Sequence, residues 1–105
     1  MVIWWSPKAK RRLKGIYLYY KERSELAAEN ILTEINSAVE HLTKYPQMAA
    51  KEPLLAGFAK IYRSLLVRKY FKVVYFVDEV KDAIVIATVW DSRQNPAKLK
   101  LEIEE

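Results

Sequence analysis

Ala9, Leu13, Ile16 and Tyr20 recur at spacings of four, three and four, which marks one face of an amphipathic helix. A second stripe follows with the same period: Ala27/Ala28, Ile31, Ile35, Ala38/Val39 and Leu42. Each stripe has its own start signal. Ser6-Pro7 offers a capping hydroxyl and then a proline whose missing N–H costs nothing in a first helical turn, and Ser24 offers a second cap. The second helix is expected to run to about Lys44, because Tyr45 precedes Pro46 and a residue before proline is pushed out of the α region. With so few residues between them, the two helices predict an antiparallel hairpin sharing one buried seam.

The rest of the chain reads as strands. V-I-W-W at 2–5 is a short β-branched and aromatic run, and K-I-Y-R-S-L-L-V at 60–67 is mixed. Y-F-K-V-V-Y-F-V at 70–77 and A-I-V-I-A-T-V-W at 83–90 are apolar on both faces, as in interior strands. D-E-V-K-D at 78–82 is the turn between them, so these neighbours are expected to be antiparallel. Residues 46–59, with two prolines and a glycine, read as a loop. The predicted fold is α+β, in the order β-α-α-β-β-β: one antiparallel sheet with the N-terminal helical hairpin on one face and the other face left partly open. Residues 1–105 are expected to form a single domain. The charged tail from 97 to 105, with alternating Leu and Ile, is expected either to fray or to add an edge strand.

Composition narrows the class. Hydrophobic residues make up 51% and charged residues 30%, a globular balance. The chain has no cysteine, which removes disulfides and thiolate metal sites and fits a reducing cytoplasm. His41 stands alone beside the second stripe and reads as structural, so neither a metal nor a cofactor is expected. No apolar run approaches the ~20 residues of a membrane span. The opening MVIWWSPKAKRR has its charges after its apolar residues, the reverse of a secretory signal, so a cytoplasmic protein is expected.

The net charge of +5 is unevenly spread. Residues 1–23 hold seven Lys/Arg against one Glu, and residues 24–45 hold four Glu against one Lys. Between Pro53 and Val77 there are Lys60, Arg63, Arg68, Lys69 and Lys72 with no acid. A positive surface of this kind either keeps a small domain soluble or meets a polyanion or acidic protein. Nucleophile triads, phosphate-binding glycine loops and paired carboxylates are all absent from the sequence. What remains is basic and aromatic. Lys60, Tyr62, Arg68, Lys69 and Arg93 are candidate binding residues, and Arg63, Lys72 and Arg93 are candidates for stabilising charge on a phosphate during metal-independent RNA cleavage. The plainer alternative is that Arg63 and Arg93 satisfy strand-end carbonyls or pair with Asp91 or Asp78, and that Tyr62, Tyr70 and Tyr75 pack the sheet.

Five stretches, taken in order, resemble the RelE/ParE family of toxins from bacterial toxin–antitoxin pairs: W-S-P-K-A with Leu13, Ile16 and Tyr20; A-A-E-N-I-L-T-E-I with Leu42 and Pro46; Y-R-S-L-L-V; Y-F-K-V-V-Y-F-V-D-E; and V-W-D-S-R-Q-N-P. The resemblance implies a small growth-inhibiting toxin neutralised by a cognate antitoxin. It also implies one of two targets: ribosome-bound mRNA, cut by the RelE-like branch, or DNA gyrase, bound by the ParE-like branch. Lys72, Arg93 and Lys60 match basic positions of the nuclease branch, but no Tyr or His follows Arg93 to act as its acid or base. The long second helix, Pro46 after it and Pro96 after Arg93 are similar to the ParE-like branch, although Asp91 stands where many of its members have His.

Overall fold

The structure, a computed structural model, describes residues 1–104. The elements are β1 (Val2–Trp5), α1 (Pro7–Lys21), α2 (Glu25–His41), β2 (Arg63–Val67), β3 (Phe71–Asp78), β4 (Ala83–Asp91) and α3 (Ala97–Glu104), with a 3-10 turn at Pro53–Leu55. This is the expected order with one helix added. The strands lie in the order β1-β4-β3-β2. β2–β3 and β3–β4 are antiparallel, whereas β1 runs parallel to β4, so the sheet is mixed rather than wholly antiparallel. A parallel neighbour needs a long connection, and the chain between β1 and β4 supplies it.

Both helix starts form as their sequences direct. The Ser6 hydroxyl accepts from the Ala9 N–H at 3.0 Å, and that of Ser24 accepts from Ala27 at 3.1 Å. Ser6 also ties the helix to the sheet: its hydroxyl donates to the Ala87 carbonyl at 2.8 Å and its N–H to the Ile86 carbonyl at 3.0 Å. Ala87 is the extra residue of a bulge, since Val74 pairs with Thr88 and Tyr75 with Ile86. The bulge lets Ile84, Ile86 and Val89 all face the helices, where they pack with Ala9, Ile31, Ile35, Val39 and Leu42 in the main core.

On the other face Leu55, Val74, Trp90 and Leu99 form a second cluster, joined by Phe58, Tyr62 and Ile103. This corrects two expectations. The tail to Glu104 is neither frayed nor a strand: Asn95 caps it by accepting from the Ala97 N–H at 3.0 Å, and α3 covers part of the face expected to lie open. The part that stays open holds the row Trp4–Val85–Phe76 across β1, β4 and β3, with Trp4 53% exposed.

Thr88 is fully buried, and among the described residues its hydroxyl has no hydrogen-bond partner. An unmade bond of this kind costs about 1–3 kcal/mol, so Thr88→Val is expected to raise stability by about 1 kcal/mol. Urea denaturation of the two proteins measures it, and a lower midpoint for the variant would mean that the hydroxyl holds a water.

Candidate functional site

Strand register disperses the basic residues that the sequence groups together. Arg63 pairs with Tyr75 and so lies on the helix side of the sheet, where it donates to the Ala49 carbonyl at 2.8 Å. Lys72 pairs with Leu66 and Trp90 and lies on the opposite side. Its ammonium is 2.6 Å from the carboxylate of Glu52, whose side chain is only 1% exposed. Glu52 also accepts from the Ser64 hydroxyl at 2.8 Å and the Leu54 N–H at 3.0 Å. Burial pushes the Glu52 carboxyl up. The bonds from Lys72, Leu54 and Ser64 outweigh that and hold it below the usual carboxylate range.

Lys60 and Tyr62 precede β2 and lie against the open part of the sheet. The Lys60 ammonium stands 4.1 Å from the centre of the Phe76 ring, and Tyr62 meets Phe76 and Phe58 edge to face. Burial raises the Tyr62 hydroxyl's pKa. Tyr75 is buried and donates to the Pro46 carbonyl at 2.8 Å, so its role is packing. Arg68 and Lys69 form the β2–β3 turn with φ of 52° and 68°, a left-handed conformation that side chains other than Gly and Asn adopt at a cost. Arg68 is anchored on Glu34 of α2.

Arg93 follows β4. Its Nε and Nη2 donate to the Asp91 carboxylate at 2.9 and 2.7 Å, its Nη2 reaches the Tyr20 hydroxyl at 3.4 Å, and its guanidinium lies 4.1 Å from the centre of the Tyr70 ring. The bond from Arg93 holds the Asp91 carboxyl below its ordinary value, and Asp91 with Tyr20 raises the pKa of the guanidinium in return. Tyr70, which read as sheet packing, is the platform under Arg93. A hydrogen bond with Tyr20 raises its pKa.

Arg93 stands at the edge of an open cleft of about 610 Å³ between α1, α3 and the end of β4. Arg11, Gly15 and Tyr19 line the α1 side, and Lys98, Leu101 and Glu102 line the α3 side. Glu102 is buried and accepts two bonds from Arg12, at 2.9 and 2.8 Å, with the Lys8 ammonium at 3.6 Å. The sequence shows the α1 cations only as part of a basic N-terminal stretch, and nothing in it singles out Glu52, Glu102 or Lys98. The spacing Arg11–Gly15–Tyr19, one residue per helical turn, was the available signal for the cleft. Among the described residues no group of three or more His, Asp or Glu is placed to hold a metal, and no helix is long and apolar enough to cross a membrane.

Two carboxylates, Glu52 and Asp91, thus have folded-state pKa values below their unfolded ones, 4.5 and 3.8. Their contribution is fully present above the unfolded values and is lost as the pH falls through the folded ones. Stability to urea is therefore expected to hold from neutral pH to about 5 and to decline below about 4.5. A midpoint that rose on acidification would contradict both pairings.

The family model described as ParE toxin of type II toxin–antitoxin system, parDE, matches residues 3–96. A solved structure titled as the chromosomal ParDE TA system from P. aeruginosa superposes with a TM-score of 0.70 at 22% identity, covering 87% of this chain and 95% of that one. That likeness shows a shared fold. No curated protein matches in sequence. The family match takes in β1, both helices of the hairpin, the three antiparallel strands and Arg93, so the chain belongs to the ParE toxin family of type II toxin–antitoxin systems.

Proposed function

We propose that this chain inhibits bacterial growth by binding DNA gyrase, rather than by cutting RNA, and that a cognate antitoxin neutralises it. One observation carries the choice between the two branches: Arg63 and Lys72 project from opposite faces of the sheet, and Lys72 is held by a buried carboxylate. A phosphate-cleaving site needs its cations aimed at one point, with donors preorganised around it. Arg63 on Ala49, Lys72 on Glu52 and Arg93 at the end of β4 stand in three different places and do not converge on one point, which suits a binding protein better. The absence of Tyr or His between Arg93 and α3 supports the same reading.

Leu18, Tyr19 and Leu26, exposed on the helical hairpin, and α3 supply contact surface for a large partner. The antitoxin is proposed to be acidic and partly disordered, to fold on binding over the basic surface, and to be encoded beside the toxin with a DNA-binding N-terminal part. On this reading the toxin acts in the cytoplasm, where gyrase works.

The test sets two assays side by side with the purified full chain: supercoiling of relaxed plasmid by gyrase, and mRNA cleavage on translating ribosomes. Inhibited supercoiling with intact mRNA is the expected result. Normal supercoiling at saturating protein sinks the gyrase reading, and discrete mRNA cuts that vanish in Arg93→Ala would replace it with the nuclease one.

A further inference from the structure

The cleft between α1 and α3 is lined by more cations than its own acids neutralise. Asp91 is taken up by Arg93, and Glu102 by Arg12 and Lys8. Arg11 and Lys98 also line it, one from each wall, and neither side chain has a hydrogen-bond or ion-pair partner among the described residues. Arg93 adds a third donor: its bonds to Asp91 and Tyr20 run through Nε and Nη2, and Nη1 takes part in none of them. The walls also carry apolar surface facing solvent, Tyr19 at 54% exposed on α1 and Leu101 at 59% on α3. Between Arg11 and Tyr19 on the same helix face lies Gly15.

Glycine in a helix interior weakens the helix relative to alanine. At Gly15 neither crowding nor backbone conformation asks for it, because an added Cβ would meet nothing within 4 Å and φ is not positive. The missing side chain instead leaves the cleft clear between a guanidinium one turn before it and an aromatic ring one turn after.

We propose that this cleft binds one nucleotide unit, its phosphate held by Arg11, Lys98 and Arg93 and its base lying against Tyr19 and Leu101. The size agrees, since about 610 Å³ falls within the range of small-ligand sites. Cations with donors to spare beside a half-exposed aromatic ring, one face of which lies under the Arg23 guanidinium, are the chemistry that holds single-stranded nucleic acid without reading sequence. An acidic peptide would use the cations but would leave Tyr19, Leu101 and the space over Gly15 without a role. The proposal goes beyond the function proposed above and does not depend on it: binding is read on the purified chain with no gyrase present.

The experiment is fluorescence anisotropy of the full chain with a labelled thymidine oligonucleotide of about 10 nucleotides, within the site sizes of single-strand binders. Binding is expected to weaken with salt. Arg11→Ala and Lys98→Ala should each lower affinity about 3- to 10-fold and reduce the slope of log K against log salt by about 0.7. Gly15→Leu should weaken binding with the slope unchanged, because it fills space and removes no charge. Lys81→Ala, in the β3–β4 turn, is the control for a change of net charge alone. Adenosine monophosphate in a second arm separates sources: competition by the free nucleotide marks a site complete for one unit, and competition only by strands marks a site that needs a chain. Either result supports the assignment. It is overturned if the three cleft variants behave as Lys81→Ala does, or if a glutamate-rich peptide binds and the oligonucleotide does not. Circular dichroism of each variant confirms the fold.

Discussion

Lys72→Met is expected to cost about 2–3 kcal/mol, lowering the melting temperature by roughly 10–20 °C for a domain of this size. The methionine replaces the side chain's bulk, so packing is not the source of the loss. Removing the ammonium strands a carboxylate that is 1% exposed and has only Ser64 and the Leu54 N–H left to satisfy it. Breaking a buried pair from one side generally costs 3–5 kcal/mol, and the residual exposure of Lys72, 24%, puts this case at or below the low end. Two further measurements separate the explanation from a general loss of fit. Glu52→Gln combined with Lys72→Met should destabilise less than the sum of the single changes, because the double variant buries no unpaired charge. The penalty of Lys72→Met alone should also shrink as the pH falls, since the stranded Glu52 then takes up a proton. A lysine kept for catalysis would behave differently: its loss would leave the melting curve in place and remove an activity. Additive penalties with no pH dependence would refute the structural role given to Lys72 here.

The Lys72–Glu52 pair also marks the limit of what the chain reveals by itself. Ser6 and Ser24 are legible as caps because the N–H groups they bond lie three residues on, and the pairing of Asp91 with Arg93 spans only two. Those are local interactions, and the sequence places both partners side by side. Glu52 lies in a proline-bearing loop, 20 residues from Lys72 and 12 from Ser64, and register alone brings the three together. A single strand over 60–67 would place Lys60 on it, three residues before Arg63 and so on the opposite face. In the fold β2 begins at Arg63, so Lys60 is free to turn onto Phe76. The face of β4 was illegible for a different reason. Strict alternation puts Ile84, Ile86, Thr88 and Trp90 together, whereas the bulge at Ala87 changes the phase and sends Thr88 and Trp90 to the opposite side.

Leu99→Ala is expected to cost about 2–4 kcal/mol, the loss of a buried aliphatic core residue, although it belongs to a segment that reads as a tail. The segment A-K-L-K-L-E-I-E carries two periodicities at once. Leu99, Leu101 and Ile103 alternate as in a strand, while Leu99, Glu102 and Ile103 share one helical face. Asn95-Pro96 decides between them: the asparagine side chain accepts from the Ala97 N–H that opens the helix, and the proline just before Ala97 has no N–H to leave unsatisfied at that end. With the helix chosen, Leu99 is fully buried against Leu55, Val74 and Trp90, while Leu101 faces solvent. Helix formation also turns Glu102 inward to meet Arg12 and Lys8, an acid that a strand's alternation would have set on the face opposite its leucines. The cavity left by Leu99→Ala lies between α3 and the sheet, so the urea midpoint should fall while the slope of the transition stays the same. Leu101→Ala, on the solvent-facing side of the same helix, should change stability by no more than about 0.5 kcal/mol. Equal effects at the two leucines would mean that residues 97–104 follow the alternating pattern after all, and the cleft against α1 would lose its second wall.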